Sequence, residues 1–218
     1  MTHTLEYDKR LLTKKERTFV ESVVNKATKH KFTVRLINKP GIGYSKDSLV
    51  NGYVDGDIRE LAVATGKESK RWISVLVHES CHMDQAIEQC KAWTDCDVTE
   101  DSDASGLIFL WINNIVELNS KQRADYTQKA LMVELDCERR AVEKILEHNL
   151  DYDTVEYTQR ANAYVYFYLM IKKTRRWYVV GKEPYTVKEV WKHMPKTFDN
   201  NYTRLPAKYA KLYEKYCF

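Results

Sequence analysis

The segment from Trp72 to Met83 (WISVLVHESCHM) is apolar over most of its circumference when drawn as a helix. That pattern predicts a helix buried inside the fold. Two histidines and a glutamate, His78, Glu79 and His82, interrupt the apolar run. Polar side chains of this kind are costly to bury unless each has a partner. The chain must therefore fold so that suitable partners meet the middle of this helix.

The spacing of these three residues is that of an HExxH motif. Residues four apart lie on one helix face, about 5–6 Å between Cβ atoms, so both imidazoles can reach one metal ion. Glu79 lies about 100° round the helix from His78, where it can reach a metal-bound water without coordinating the metal. Zinc lowers the pKa of such a water to about 7, and a neighbouring Glu can take its proton. The alternative is that His78 and His82 are core histidines with ordinary hydrogen-bond partners.

A catalytic zinc ion also needs a third protein ligand. We predict it on a second buried helix, between about Lys121 and His148, because two positions of that helix's apolar stripe are Glu134 and Glu138. We expect Glu134 to bind the metal and Glu138 to accept the N–H of a ligand histidine. The reverse assignment is geometrically almost as good. Alternatively, both carboxylates pair with Arg139, Arg140 or other basic groups at the edge of the core.

Helix dominates the predicted secondary structure, and the strands come early in the chain. The periodicity predicts strands at 31–38 and 58–64, and helices at 13–29, 69–91, 107–118, 121–148, 154–175, 187–193 and 207–216. The expected fold class is therefore α+β, mainly α, with a small N-terminal sheet. No linker stands out, so we expect a single domain over 1–218, with a metal-binding core at about 52–150 and a helical C-terminal extension at about 151–218.

Charge and composition narrow the possible partners. The chain has 35 Lys and Arg against 31 Asp and Glu, which argues against a basic nucleic-acid arm or an acidic tail. No apolar run reaches the roughly 18 residues of a membrane span, and the N-terminal residues contain no apolar signal segment. Five cysteines are an odd number, which favours free thiols over a disulfide framework. We therefore expect a cytoplasmic protein without a membrane partner.

Two motifs carry a resemblance to a known family. HESCH followed by a helix with a Glu resembles the gluzincin branch of the zinc metallopeptidases. The segment ELDCERRA (134–141) is similar to the ExxAxxxA helix of the regulatory peptidases related to ImmA and IrrE, with Cys137 in place of a small residue. The core from Val77 to Gln85 also resembles uncharacterised, often phage-encoded, zincin-like proteins. The resemblance covers about Gly52 to Leu150.

The resemblance implies a zincin-like fold and a zinc-dependent metallopeptidase that hydrolyses peptide bonds. It implies Zn²⁺ as the cofactor, Glu79 as the general base, and peptides or proteins as substrates. The metal ligands that it implies are His78, His82 and Glu134. Glu138 would accept a hydrogen bond from a ligand histidine without contacting the metal. The place of action would be the cytoplasm, or the host cytoplasm if a virus encodes the chain.

Two further features of substrate binding are expected. By resemblance, the strand at Arg59–Ala64 would be an open sheet edge along which an extended peptide can pair. The alternative is an ordinary buried strand, because the apolar run Leu61–Ala64 suits both. Negative charge that builds up on the substrate carbonyl oxygen also needs a hydrogen-bond donor. The candidate donors are Tyr157, Tyr164, Tyr168 and His148.

Two other functions remain open. A regulatory or interaction protein that binds zinc without hydrolysis would keep both histidines, but it would have no use for Glu79. A nucleic-acid-associated protein would use the basic, aromatic-tipped segment Lys172–Trp177. We interpret that segment as a solvated helix end and expect no nucleic-acid partner.

Overall fold

The computed structural model describes residues 2–45, 48–66, 69–99 and 102–218. It is mainly helical and contains a small mixed sheet, so the predicted α+β, mainly α class is confirmed. The chain divides into two compact units, one of residues 1–89 with 143–151 and the other of residues 90–142 with 152–218. Within the described ranges, no helix combines the length and the apolar character needed to cross a membrane.

The strands of the first unit are β1 (Thr4–Leu5), β2 (Thr33–Ile37), β3 (Ile42–Ser45), β4 (Ser48–Val50), β5 (Gly52–Asp55) and β6 (Glu60–Ala64). Four of them form a mixed sheet in the order β1-β2-β6-β5. Strand β2 runs parallel to β1 and β6, whereas β5 runs antiparallel to β6. Strands β3 and β4 form a separate hairpin.

The predicted open edge at Arg59–Ala64 is wrong. Strand β6 is an inner strand, because β2 pairs with one side of it and β5 with the other. Among the described strands, β5 is the edge of the sheet at this end. The error arose because β6 directly precedes the HExxH helix in sequence, while β5 folds back on β6 through a tight turn in which Arg59 adopts φ 52°.

Two helices that contact each other pack on the sheet, α1 (Lys14–Lys29) on β2 and α2 (Ser69–Glu88) on β5 and β6. Thr13 and Glu16 form a capping box that starts α1. Helix α2 ends at Glu88 because Gln89 adopts a left-handed conformation with φ 49°. Its apolar residues are buried as predicted, with Ile73, Leu76 and Val77 excluded from solvent.

A buried carboxylate also fixes α2 within the first unit. Asp84 Oδ1 lies 2.8 Å from Lys26 Nζ on α1, and Asp84 Oδ2 lies 2.9 Å from Lys144 Nζ. Lys144, in the last turns of helix α5 (Ser120–Glu147), also donates to Ser80 Oγ at 2.7 Å. Two cations around one buried carboxylate offset its desolvation, so these contacts hold α2 in one orientation.

The second unit contains the larger hydrophobic core. Its other elements are α3 (Lys91–Cys96), β7 (Asp97–Thr99), β8 (Ser102–Asp103), α4 (Ala104–Ile112), α6 (Thr154–Thr174), α7 (Lys188–Trp191) and α8 (Ala207–Tyr216). Trp111, Phe167 and Tyr213 are large, fully buried members of the core. Helix α6 buries residues on most of its circumference, and its buried Asn162 holds the C-terminal segment by donating to the carbonyl oxygens of Pro195 and Thr197.

The predicted strands and helices agree with the structure within a few residues, apart from the segment around 94–118. There the predicted helix 107–118 is α4, which begins earlier because Asp103 Oδ1 accepts the N–H of Gly106 at 2.6 Å. It ends at Ile112, and Asn114 then adopts φ 59°. The predicted loop at 94–105 contains the end of α3 and the β7–β8 hairpin.

Candidate metal centre

Two imidazole nitrogens converge on one face of α2. His78 Nε2 and His82 Nε2 lie 3.2 Å apart, and the two rings are nearly perpendicular at 85°. Two nitrogen ligands of one tetrahedral zinc ion, each at about 2.0–2.1 Å from the metal, are separated by about 3.3 Å. The spacing of the pair therefore fits a shared metal ion.

Gln85 orients one member of this pair. His82 Nδ1 lies 2.8 Å from Gln85 Oε1, and Gln85 is 0% exposed. An amide oxygen only accepts, so His82 carries its proton on Nδ1 and has a lone pair on Nε2 in its neutral form. This is the tautomer that binds a metal through Nε2. In the sequence, Gln85 is only the end of the Val77–Gln85 core, and its position three residues after His82 on the same helix was the unused signal of this role.

Replacing Gln85 by Met is expected to weaken zinc binding about 10–100-fold, the usual effect of removing an acceptor that orients a ligand histidine. Met keeps the side-chain volume, so the fold should be retained. Zinc affinity is measured by competition with a chromophoric chelator. Gln128→Met, at a half-buried position on α5, is the matched control and should bind zinc as the wild type does. An unchanged affinity of Gln85→Met would contradict this role.

Glu79 is buried on the side of α2 that lies against β5. The residue is 8% exposed, and its Cγ lies close to the backbone of Gly52. The neighbouring side chain on the same side of the helix is Val75. A carboxylate in this position is next to the histidine pair in sequence yet lies on a different face of the helix.

Glu134 and Glu138 are buried on α5, with 9% and 7% of their surfaces exposed. The hydroxyl of Tyr168 donates to Glu134 Oε1 at 3.2 Å, and the hydroxyl of Tyr164 lies 3.3 Å from that of Tyr168. Burial, followed by the negative charge of Glu134, raises the pKa of both phenols well above the usual value. Both phenols therefore stay protonated at neutral pH, and Tyr168 remains a hydrogen-bond donor to Glu134.

The two arginines that follow on α5 have partners of their own. Arg140 Nε lies 2.7 Å from Asp136 Oδ2, and Arg139 donates to the carbonyl oxygen of Asp199 at 2.7 Å. Both contacts lie within the second unit. Both guanidinium groups therefore have hydrogen-bond acceptors other than Glu134 and Glu138 within the second unit.

His78, His82 and Cys137 form a group that could bind a metal ion, since one potential ligand atom of each lies within 4.8 Å of the others. Cys137 is buried, and the two histidines are half-buried. In the sequence comparison with the ExxAxxxA helix, this cysteine stands only in place of a small residue. The usable signal was its position on α5, three residues after Glu134 and directly before Glu138, because thiolate sulfur is a common zinc ligand. None of the five cysteines, all of which lie in the described residues, forms a disulfide.

The basic segment at the end of α6 is engaged within the second unit. Lys173 Nζ lies 2.9 Å from a carboxylate oxygen of Glu214, and Arg175 lies 2.7 Å from Glu117. Arg175 also donates to the carbonyl oxygen of Trp111 at 2.9 Å. These partners take up part of the positive charge that phosphate binding would require.

No protein-family model, curated protein or solved structure matches the chain. The metal that the centre prefers is therefore inferred from its donor atoms alone. Imidazole nitrogen and thiolate sulfur suit zinc, whereas magnesium and calcium prefer sets made of oxygen alone.

Proposed function

We propose that the chain is a zinc-dependent hydrolase of peptide bonds with a zincin-like fold. His78 and His82 would hold the metal, and Glu79 would act as the general base. The observation that carries this proposal is the 3.2 Å separation of the two Nε2 atoms on a buried helix that also bears Glu79. If His78 and His82 were only core histidines, burying the carboxylate of Glu79 beside them would cost free energy without serving a function.

The third ligand would come from the face of α5 that contains Glu134, Cys137 and Glu138. These residues are three and four positions apart, so they share one side of the helix. We propose Glu134, because two histidines and a glutamate are a donor set of catalytic zinc sites that leaves one position open. The hydrogen bond from Tyr168 to Glu134 Oε1 restricts the rotation of that carboxylate and so favours it as a ligand.

A bound zinc ion supplies Lewis acidity, which lowers the pKa of a water molecule and polarises a substrate carbonyl. Glu79 would accept the proton of the attacking water and pass it to the departing amine nitrogen. Gln85 would keep His82 in the tautomer that coordinates. The surrounding apolar residues of α2 would keep other water away from the reacting groups.

The edge strand β5 suits an extended peptide substrate. Asn51 accepts the N–H of Ala64 at 2.8 Å, so residues 51 and 64 form a hydrogen-bonded pair across β5 and β6. Because this pattern alternates along an antiparallel ladder, Gly52 and Val54 direct their N–H and C=O groups to the open edge. Main-chain pairing at this edge would give affinity with little sequence preference.

Quenched fluorescent peptides of mixed sequence test the proposal. The purified chain is expected to cleave some of them, to lose this activity with 1,10-phenanthroline, and to regain it on addition of zinc but not of magnesium. Removal of the metal is expected to abolish the reaction because, in the proposed mechanism, the metal lowers the pKa of the attacking water. Cleavage that survives complete removal of the metal would contradict the proposal.

A second candidate function is a zinc-binding protein without catalysis, and Cys137 is the observation that favours it. If Cys137 and Glu134 both coordinated with the histidines, the metal would have four protein ligands and no open position. Such a site would stabilise the fold. Absence of peptide cleavage by a fully zinc-loaded chain would support this alternative.

A further inference from the structure

We propose that Gly52 is a positioning residue for Glu79, because the missing side chain on β5 leaves the space that the Glu79 side chain needs. This inference rests on the proposed function, in which Glu79 is the general base. It adds a residue on the sheet to a centre that is otherwise built on helices.

The space around Gly52 is filled by three groups. A Cβ atom at this position would lie 2.8 Å from Glu79 Cγ, 2.8 Å from Val75 Cγ1 and 3.0 Å from the carbonyl oxygen of Ala62. Non-bonded carbon atoms prefer about 3.5–4.0 Å, so a neighbour would have to move. Ala62 belongs to an inner strand, and Val75 has a short, branched side chain. The longer side chain of Glu79 therefore yields most easily.

Glycine is required at this position because there is no room for a side chain, and not because of its backbone conformation. Gly181 is the glycine with a positive φ among the described residues, so an alanine can adopt the conformation of Gly52. Other glycines meet different neighbours. A Cβ on Gly66 would meet the backbone of Lys39, and a Cβ on Gly106 would meet only Asp103 Oδ1, at 3.2 Å. Of the glycines at positions 41, 52, 66, 106 and 181, Gly52 is the one that adjoins the proposed general base.

The first test is kinetic. Gly52→Ala is expected to bind zinc as the wild type does but to lower kcat on the order of 10²-fold, with KM nearly unchanged, because displacement of the general base affects the chemical step. Gly106→Ala makes the same substitution in the second unit, where the new Cβ meets only Asp103 Oδ1, and should keep the wild-type kcat. Adding Val75→Ala to Gly52→Ala creates room beside the new methyl group and should restore part of the lost activity. A wild-type kcat for Gly52→Ala would overturn the proposal.

The second test does not depend on activity. Gly52→Ala is expected to lower Tm by about 3–6 °C in the wild-type background. The loss should be clearly smaller in the Glu79→Ala background, where the colliding Cγ is absent. An equal loss in both backgrounds would overturn the proposal, because the methyl group would then not be in contact with Glu79. If the chain proves to bind no zinc or to cleave no peptide, the proposed function fails, and the thermal comparison still reports the contact.

Discussion

Replacing Glu79 by Gln is expected to lower the rate of peptide hydrolysis by 10²-fold or more, while the zinc ion stays bound. A general base typically contributes about 10²–10⁴ in rate, and the amide of Gln cannot take a proton from water. Gln has the same shape as Glu, so the buried position is not disturbed. The metal is unaffected because Glu79 lies about 100° round the helix from the face that carries His78. The measurements are kcat/KM on a quenched peptide and zinc content by elemental analysis.

The control for this prediction is Glu88→Gln. Glu88 lies on the same helix and is exposed, so this variant changes the net charge equally without touching the buried site. It should hydrolyse peptides as the wild type does. If Glu79→Gln kept the wild-type rate, the general base would have to be another residue, and the mechanism proposed above would be wrong.

Replacing His82 by Ala is expected to weaken zinc binding on the order of 10³-fold. Complete zinc sites contribute about 10–16 kcal/mol, so the loss of one of their three or four ligands removes several kcal/mol. The hydrogen bond to Gln85 disappears together with the ligand nitrogen. Affinity is measured by chelator competition, and hydrolysis should be lost in parallel at low zinc concentrations. His193→Ala, which removes an exposed histidine of the second unit, should leave affinity unchanged.

The same zinc-affinity assay distinguishes which residue of α5 binds the metal. Glu134→Gln is expected to weaken zinc binding the most, because it replaces the proposed third ligand. Glu138→Gln should have a smaller effect, of the size expected for a group that orients a ligand. A large loss of zinc affinity with Cys137→Ser would assign the third position to sulfur.

A His82→Ala variant with wild-type zinc affinity would remove the basis for a metal centre on α2.

Much of this architecture could be predicted because it depends on local patterns. The apolar run around His78 predicts a buried helix, and the periodicity of residues 13–29 predicts α1, which Thr13 caps in the structure. The stripe on α5 predicts that Glu134 and Glu138 are buried, which the structure confirms. Each of these inferences needs only the periodicity of one element and the cost of burying polar groups.

The features that could not be predicted depend on contacts between distant segments. The position of β5 at the sheet edge follows from a fold-back at residues 55–60, and alternation of side chains along β6 does not reveal which strand pairs with it. Position 52 requires glycine because Val75 and Glu79, more than twenty residues later in the chain, occupy the space beside it. Gln85 and Cys137 were overlooked for a different reason. Each lies three residues after a predicted site residue on the same helix, Gln85 after His82 and Cys137 after Glu134, and this spacing was not used.

The central claim is that His78 and His82 bind one metal ion together. Zinc analysis combined with X-ray absorption at the zinc edge tests this claim most directly, on the wild type and on the His78→Ala/His82→Ala variant. We predict about one zinc ion per wild-type chain with scattering from two imidazole rings, and no bound zinc in the double variant. A wild-type chain that purifies and reconstitutes without zinc, or a double variant that binds zinc as the wild type does, would contradict the claim.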